Sequence, residues 1–241
     1  SITWHAPTFR NNEIQGSLLG ARGLEVFGCT NSFTVYNNRI RVDGNALVLS
    51  SAGNGGSQPH VLNNTLISTA GSGAVISSGS TNVWFDHNNI QSAVYGVHFG
   101  FGTNSITSFR NNVIRSGNYT VYRQTATTNI TFASHCALKR STAGALAYWV
   151  SAQNTLASLQ SGSGRFASSV VVDPLYFNTT NDLHAYAMEL DMAGTPIAFI
   201  TTDIDGDPRH ATTPDIGADE FTPQLWADAF NTCGAADAIT S

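Results

Sequence analysis

The feature that most constrains this chain is a repeat. An apolar–x–x–Asn–x–Ile/Leu pattern occurs five times: Phe9 to Ile14, Val35 to Ile40, Val61 to Leu66, Phe85 to Ile90 and Phe109 to Ile114. Its asparagines, Asn12, Asn38, Asn64, Asn88 and Asn112, recur at spacings of 26, 26, 24 and 24 residues. A second apolar patch follows each motif, at Leu24–Val26, Leu47–Leu49, Ala74–Ile76, Tyr95–Val97 and Thr120–Val121. The runs are short, β-branched or aromatic, and bounded by Gly, Asn and Ser, which marks strands rather than helices. Three short strands and three turns fit one period of this length, the rung of a parallel β-helix. Stacked rungs would place equivalent residues about 4.8 Å apart. Phe9, Val35, Val61, Phe85 and Phe109 then form one interior stack, and Ile14, Ile40, Leu66, Ile90 and Ile114 another. The asparagines would form a ladder at a turn, each amide bonding the next rung, in a residue type that tolerates left-handed backbone.

The expected fold is all-β, a right-handed parallel β-helix (solenoid) of five to seven rungs. Residues 1–125 carry the regular rungs. Residues 126–221 hold irregular last rungs and a C-terminal cap of the same domain, and 222–241 form a tail or linker. Phe132 to His135 reads as a degenerate sixth rung, and Ala145 to Leu159 as a lateral excursion or short helix. The repeat is already under way at Phe9, which leads to the expectation that the N-terminal rung abuts further chain or another subunit.

Composition narrows the function classes. Charged residues are 11 % of the chain, against roughly 25 % in an average soluble domain. The net charge is −5 and the sole lysine is Lys139, which argues against nucleic acid as a partner. No apolar run reaches the roughly 20 residues of a membrane span. A surface poor in charge and rich in Asn, Ser, Thr and Gly points to an extracellular or cell-surface setting. Cys29, Cys136 and Cys233 form no metal-binding pair. The first two are separated by about four and a half rungs, roughly 20 Å along the axis, too far for a disulfide.

The I–x–N–N–x–I rung, carried by residues 9–125, resembles the right-handed parallel β-helix repeat proteins of the superfamily that includes pectate lyases. Asp173 to Asn178, Asp182-Leu-His184, Asp203-Ile-Asp-Gly-Asp-Pro-Arg209 and Asp215-Ile-Gly-Ala-Asp-Glu220 resemble the C-terminal end of bacterial secreted proteins often called choice-of-anchor Q proteins. The resemblance implies the fold and an extracellular address more firmly than a chemistry.

Several residues are candidates for function. Asn82-Val-Trp84-Phe-Asp86-His87 resembles a pectate lyase segment whose neighbourhood supplies calcium ligands, although the acidic residues that follow in that family are missing. Asp86, His87, His98 and Arg110 are the catalytic candidates of a polysaccharide lyase or glycoside hydrolase acting on an acidic or plant-type polysaccharide, with Trp84 in its groove. The plainer reading makes Asp86-His87 this rung's version of the Arg-Asn and Tyr-Asn pairs of its neighbours. His98 and Tyr122, 24 residues apart, would stack on one outer face beside Arg123, an aromatic and cationic ribbon able to hold a sugar. Asp203, Asp205 and Asp207 alternate around Gly206 like half a calcium loop. The competing reading is a cap turn in which Arg209 pairs with Asp219 or Glu220. The leading functional expectation is a binding or structural and adhesive module, with a surface glycan or a protein as partner. No cofactor is required beyond that optional calcium.

Overall fold

The structure is a computed structural model that describes residues 6–53 and 56–223. Three parallel sheets wind into a β-solenoid of about six turns. Sheet A stacks Thr8–Arg10, Thr34–Tyr36, His60–Leu62, Val83–Asp86, Ser105–Arg110 and Asn129–Ser134. Sheet B stacks Glu13–Gly16, Arg39–Val42, Thr65–Ser68, Asn89–Ser92, Val113–Ser116 and Ala137–Arg140. Sheet C stacks Leu24–Phe27, Leu47–Ser50, Ala74–Ser77, Val97–Phe99, Val121–Arg123 and Ala147–Trp149, and ends in an antiparallel edge, Ser151–Gln153.

The register is the one the repeat demands. Phe9, Val35, Val61 and Phe85 pair in succession, and Phe85 stacks on Phe109 at 5.6 Å. Ile14, Ile40, Leu66, Ile90, Ile114 and Leu138 form the second stack. Both columns run through one core. Where sheet B turns towards sheet C the rungs press closely together. A Cβ on Gly73 would lie 2.2 Å from the Ile90 methyl, and one on Gly96 2.1 Å from that of Ile114.

The sixth rung forms, but not as the sequence suggests. Ala133 pairs with Phe109 and faces inward, while Phe132 pairs with Ser108 and is 61 % exposed. A shift of one residue reverses the face of a strand. The interior space beside Ala133 is taken by Phe166, which is fully buried and packs edge-on against Phe109 and Trp149. Phe166 follows helix α1 (Leu156–Ser163), which starts at a capping box of Thr155 and Ser158 and stops at Gly164 in left-handed conformation. The helix packs on the last strands of sheet C, with Leu159 buried in the core. This is the end cap that an exposed stack of strand edges requires.

The rest of the segment expected as cap does something else. From about residue 170 to 221 the chain runs along the corner between sheets A and B, as a lateral cover with little regular structure. Leu183, Ala185, Ala187, Leu190 and Ile216 pack on Ile67, Val113 and Ala137. Ile197 and Ile200 pack on Leu62, beside Tyr36 and Trp84. The Tyr176 hydroxyl lies 3.2 Å from the carbonyl oxygens of both Ile90 and Val113, on adjacent rungs. Cys29 and Cys136 are free thiols. Cys233 and most of the 222–241 tail lie outside the described residues.

Candidate functional site

The double asparagine of each rung divides two tasks between its members. The first member takes the left-handed turn, at Asn11, Asn37, Asn63 and Asn111, with φ of 52–55°. The second builds the ladder. The side-chain amides of Asn12, Asn38, Asn64 and Asn88 each donate to the Oδ1 of the next asparagine at 2.8–3.1 Å. Each Oδ1 also accepts the backbone N–H of the asparagine before it. Cys136 stands at the sixth position, its thiol reaching the Phe109 carbonyl at 3.6 Å and the Ser134 carbonyl at 3.4 Å. Burial pushes that thiol up to about 12, so it is an unreactive end to the ladder.

His87 is the left-handed residue of the fourth rung, with φ of 53°, as the plainer reading of Asp86-His87 required. The left-handed side chains form a second, outer ladder that holds the cover. Asn37 donates to the Asp203 carbonyl and Asn63 to that of Thr202. Asn111 pairs with the backbone of Thr195 through both ends of its amide. His87 Nδ1 lies 2.9 Å from the Gly217 carbonyl, and Nε2 is 2.7 Å from the Asn111 amide. Nδ1 is therefore the protonated nitrogen and Nε2 the acceptor. Burial, with Arg209 close by, holds the imidazole well below its ordinary pKa. Asp86 is also fully buried; its Oδ1 accepts from the Ser108 hydroxyl and the Arg110 N–H, both at 2.7 Å. Burial pushes its carboxyl up to about 6.

The sequence candidates therefore do not converge on one groove. Asp86 and His87 are both fully buried, His87 against the cover at Gly217. Trp84 is packed between His60, Phe199 and the Arg110 guanidinium, rather than presented to a ligand. His98 belongs to sheet C, away from the other three catalytic candidates on sheet A and its turn.

His98 and Tyr122 do pair in register, with ring centroids 5.1 Å apart. They belong to a larger ribbon that includes Tyr95, Tyr119 and Tyr148. Tyr95 and Tyr122 stack at 4.2 Å, Tyr119 and Tyr122 at 5.6 Å, and Tyr148 leans on Tyr122 at 5.2 Å. All five rings are half-buried, and the Arg140 guanidinium lies 5.6 Å from Tyr119. Burial and the neighbouring phenols raise the Tyr122 hydroxyl, and burial lowers His98. Tyr95, which the sequence offered only as part of an apolar patch, and Tyr119 were not read as members of this ribbon because they sit between strands, out of phase with the strand column. Arg123 instead holds its own loop, bonding the carbonyls of Ala126 and Thr128 and lying 4.7 Å from the Trp149 ring.

A second polar site lies where the cover crosses the first rungs of sheet B. Cavities of about 480 and 300 Å³ flank Arg39, the larger bordered by Glu13, Asn37 and Asp205, the smaller by Asn181, Asp182 and His184. Asp203 is fully buried, and its Oδ1 accepts the N–H groups of Asp205, Gly206 and Asp207. Its Oδ2 accepts that of Glu220. That carboxylate is committed to shaping the loop, and Asp207 is exposed, so the three alternating aspartates do not form one cage. Arg209 pairs with Glu220 at 3.1 Å and donates to Asn63 and to the Gly217 carbonyl.

Asp205 turns the other way, to Arg39 at 2.6 Å and His184 Nε2 at 2.7 Å. His184 Nδ1 is bonded to Asp182. Burial lowers His184, but hydrogen bonds to Asp205 and Asp182 bring it net above its ordinary value. Burial raises Asp205, and its bonds from His184 and Arg39 hold it net below the usual carboxylate range. Asp219 is pushed up to about 7 by burial and by the neighbouring carboxylates of Asp203 and Asp205. None of His184, Asp182 and Asp219 was singled out from sequence as a site residue; their closeness depends on loops that carry no repeat.

The chain matches no protein-family model, no curated protein and no solved structure.

Proposed function

We propose that this β-solenoid is a binding module of a secreted or cell-surface protein, and that its ligand is a glycan held on the tyrosine ribbon of sheet C. The observation that carries the reading is the half-buried cluster of Tyr95, Tyr119, Tyr122 and Tyr148 with His98. Tyrosine offers a large amphipathic contact surface and loses little side-chain entropy when it is fixed. Three stacked rungs give the ribbon a length of roughly 10 Å, suited to a short stretch of oligosaccharide. Leu18, Leu19 and Phe27 are exposed, and Phe9, Ile14 and Leu24 are only partly buried. They support a neighbour, more chain or another subunit, against the first rung. Kinship with the pectate-lyase-like superfamily and with choice-of-anchor Q proteins is part of the proposal; the I–x–N–N–x–I rungs and the Asp203–Arg209 and Asp215–Glu220 motifs support it.

Titration against a panel of neutral and acidic polysaccharides tests the reading. Tyr122→Ala should weaken the best ligand about tenfold, equivalent to about 1.4 kcal/mol, while the exposed Phe132→Ala leaves it unchanged. A panel without a single binder overturns it. One observation favours the second reading, a polysaccharide lyase or hydrolase: Asp182, His184 and Asp205 gather beside the cavities around Arg39. Incubating uronate polysaccharides with the protein, with and without calcium, and watching for the absorbance of an unsaturated product separates the two. Turnover would replace the binding module with the lyase.

A further inference from the structure

The geometry points to a divalent-cation site made by His184, Asp205 and Asp219, independent of the tyrosine ribbon. One ligand atom from each, an imidazole nitrogen and two carboxylate oxygens, lie within 4.8 Å of one another. Ligands at roughly 2.1 Å from a shared ion stand about 3–4 Å apart, so closing on a metal takes only small side-chain movements. The imidazole is already aimed. Asp182 holds its Nδ1 and turns Nε2 towards Asp205, the carboxylate–histidine arrangement that orients metal-binding imidazoles.

Asp219 supplies an independent indication. It is 9 % exposed, and no donor among the described residues reaches its carboxyl group, which faces the Asp203 carboxylate instead. Burying a carboxyl group without a donor is costly unless a positive charge stands beside it. The nearby guanidinium groups are engaged elsewhere, Arg209 with Glu220 and Arg39 with the far oxygen of Asp205, which leaves the His184 imidazole as the positive partner of Asp219. An ion between Asp219, Asp205 and His184 takes the place of the His184 proton and brings a larger positive charge to the two carboxylates. Asp205 borders the larger of the two cavities and His184 the smaller. One imidazole with two carboxylates suits zinc or manganese; calcium sites are built from oxygen alone.

Calorimetric titration of the chelator-treated chain with zinc and with manganese is the test. The expected result is one saturable site, weakened at least tenfold by Asp219→Asn and by His184→Gln. Asp182→Asn should weaken it by about 10–100-fold through loss of imidazole orientation, while Asp207→Asn has no effect. Circular dichroism establishes that each variant is folded. Should a variant fail to fold, imidazole ¹⁵N spectra of the unaltered chain decide: zinc must shift the His184 resonances. The proposal is overturned by absence of saturable binding, by affinity that survives Asp219→Asn, by zinc shifts confined to other histidines, or by a site that prefers calcium and ignores His184→Gln.

Discussion

At the scale of single residues, the molecule depends on the separation of two neighbouring positions. From the second to the fifth rung the ladder position is fully buried, and its occupant must both accept and donate. Asn88→Ala would leave the backbone N–H and amide of Asn64 without their acceptor, and the carbonyls of Val61 and Asp86 without their donor. A loss of about 3 kcal/mol or more is expected in urea denaturation. The left-handed position before it is more permissive, since asparagine and histidine both occupy it. His87 brings a pH dependence that asparagine would not. Its folded pKa is depressed, so below about pH 6.5 the unfolded chain takes up a proton that folded His87 refuses. The contribution of His87 is complete above that pH and is lost as the pH falls towards the folded value. In His87→Asn the left-handed turn keeps a residue type found there in other rungs. Its melting temperature relative to the unaltered chain should therefore rise between about pH 7.5 and pH 5. A difference that stays constant with pH would refute this.

At the scale of elements, the closing of the C-terminal end turns on Phe166. Replacing it with alanine removes a fully buried ring that packs on Phe109 and Trp149, and should cost about 3–5 kcal/mol. Phe132→Ala, at an exposed position, should stay within about 0.5 kcal/mol; equilibrium unfolding of the two variants checks both. The repeat pointed to Phe132 as part of the sixth rung and did not single out Phe166. Phe132 followed Phe109 at nearly the right interval and was aromatic like its predecessors, whereas Phe166 lies beyond the repeat, in a segment with no period to count. The same limit holds elsewhere. Through the fifth rung, strand register and both interior stacks were legible in the sequence because each rung repeats the same local chemistry. The cover and the His184–Asp205–Asp219 cluster were not, because irregular loops meet through contacts that spacing does not encode. The tyrosine ribbon was half legible: His98 and Tyr122 lie one rung apart, but Tyr95 and Tyr119 enter from between strands.

At the scale of the whole molecule, the lateral cover is a separable layer on a repetitive rod. Each rung touches mainly its neighbours, so stability is largely a sum over adjacent rungs. The cover instead bridges distant rungs through a few polar anchors. Arg209 is one of these, with 3 % of its side chain exposed. Arg209→Ala leaves Glu220 without its cation and Asn63 without one of its partners, and should cost about 3–5 kcal/mol in docking the cover. Hydrogen exchange should then speed up across residues 203–221 while the amides of Asn64 and Asn88 keep their protection. Uniform acceleration over the rod as well would mean that cover and rod unfold as one unit.

The cover also fixes an order of assembly. Rungs close over 24 to 26 residues, while the contacts of Arg39 with Asp205 and of Tyr36 with Thr202 each join residues 166 apart in the chain. Contacts of such separation form slowly, and during synthesis their C-terminal partners emerge last. A growing chain therefore exposes Leu62, Ile67 and Val113 on a finished corner, with the outer ladder unsatisfied, until residues 170–221 leave the ribosome. The uncovered rod is thus the species most prone to aggregate, and docking of its cover is the step that ends the hazard.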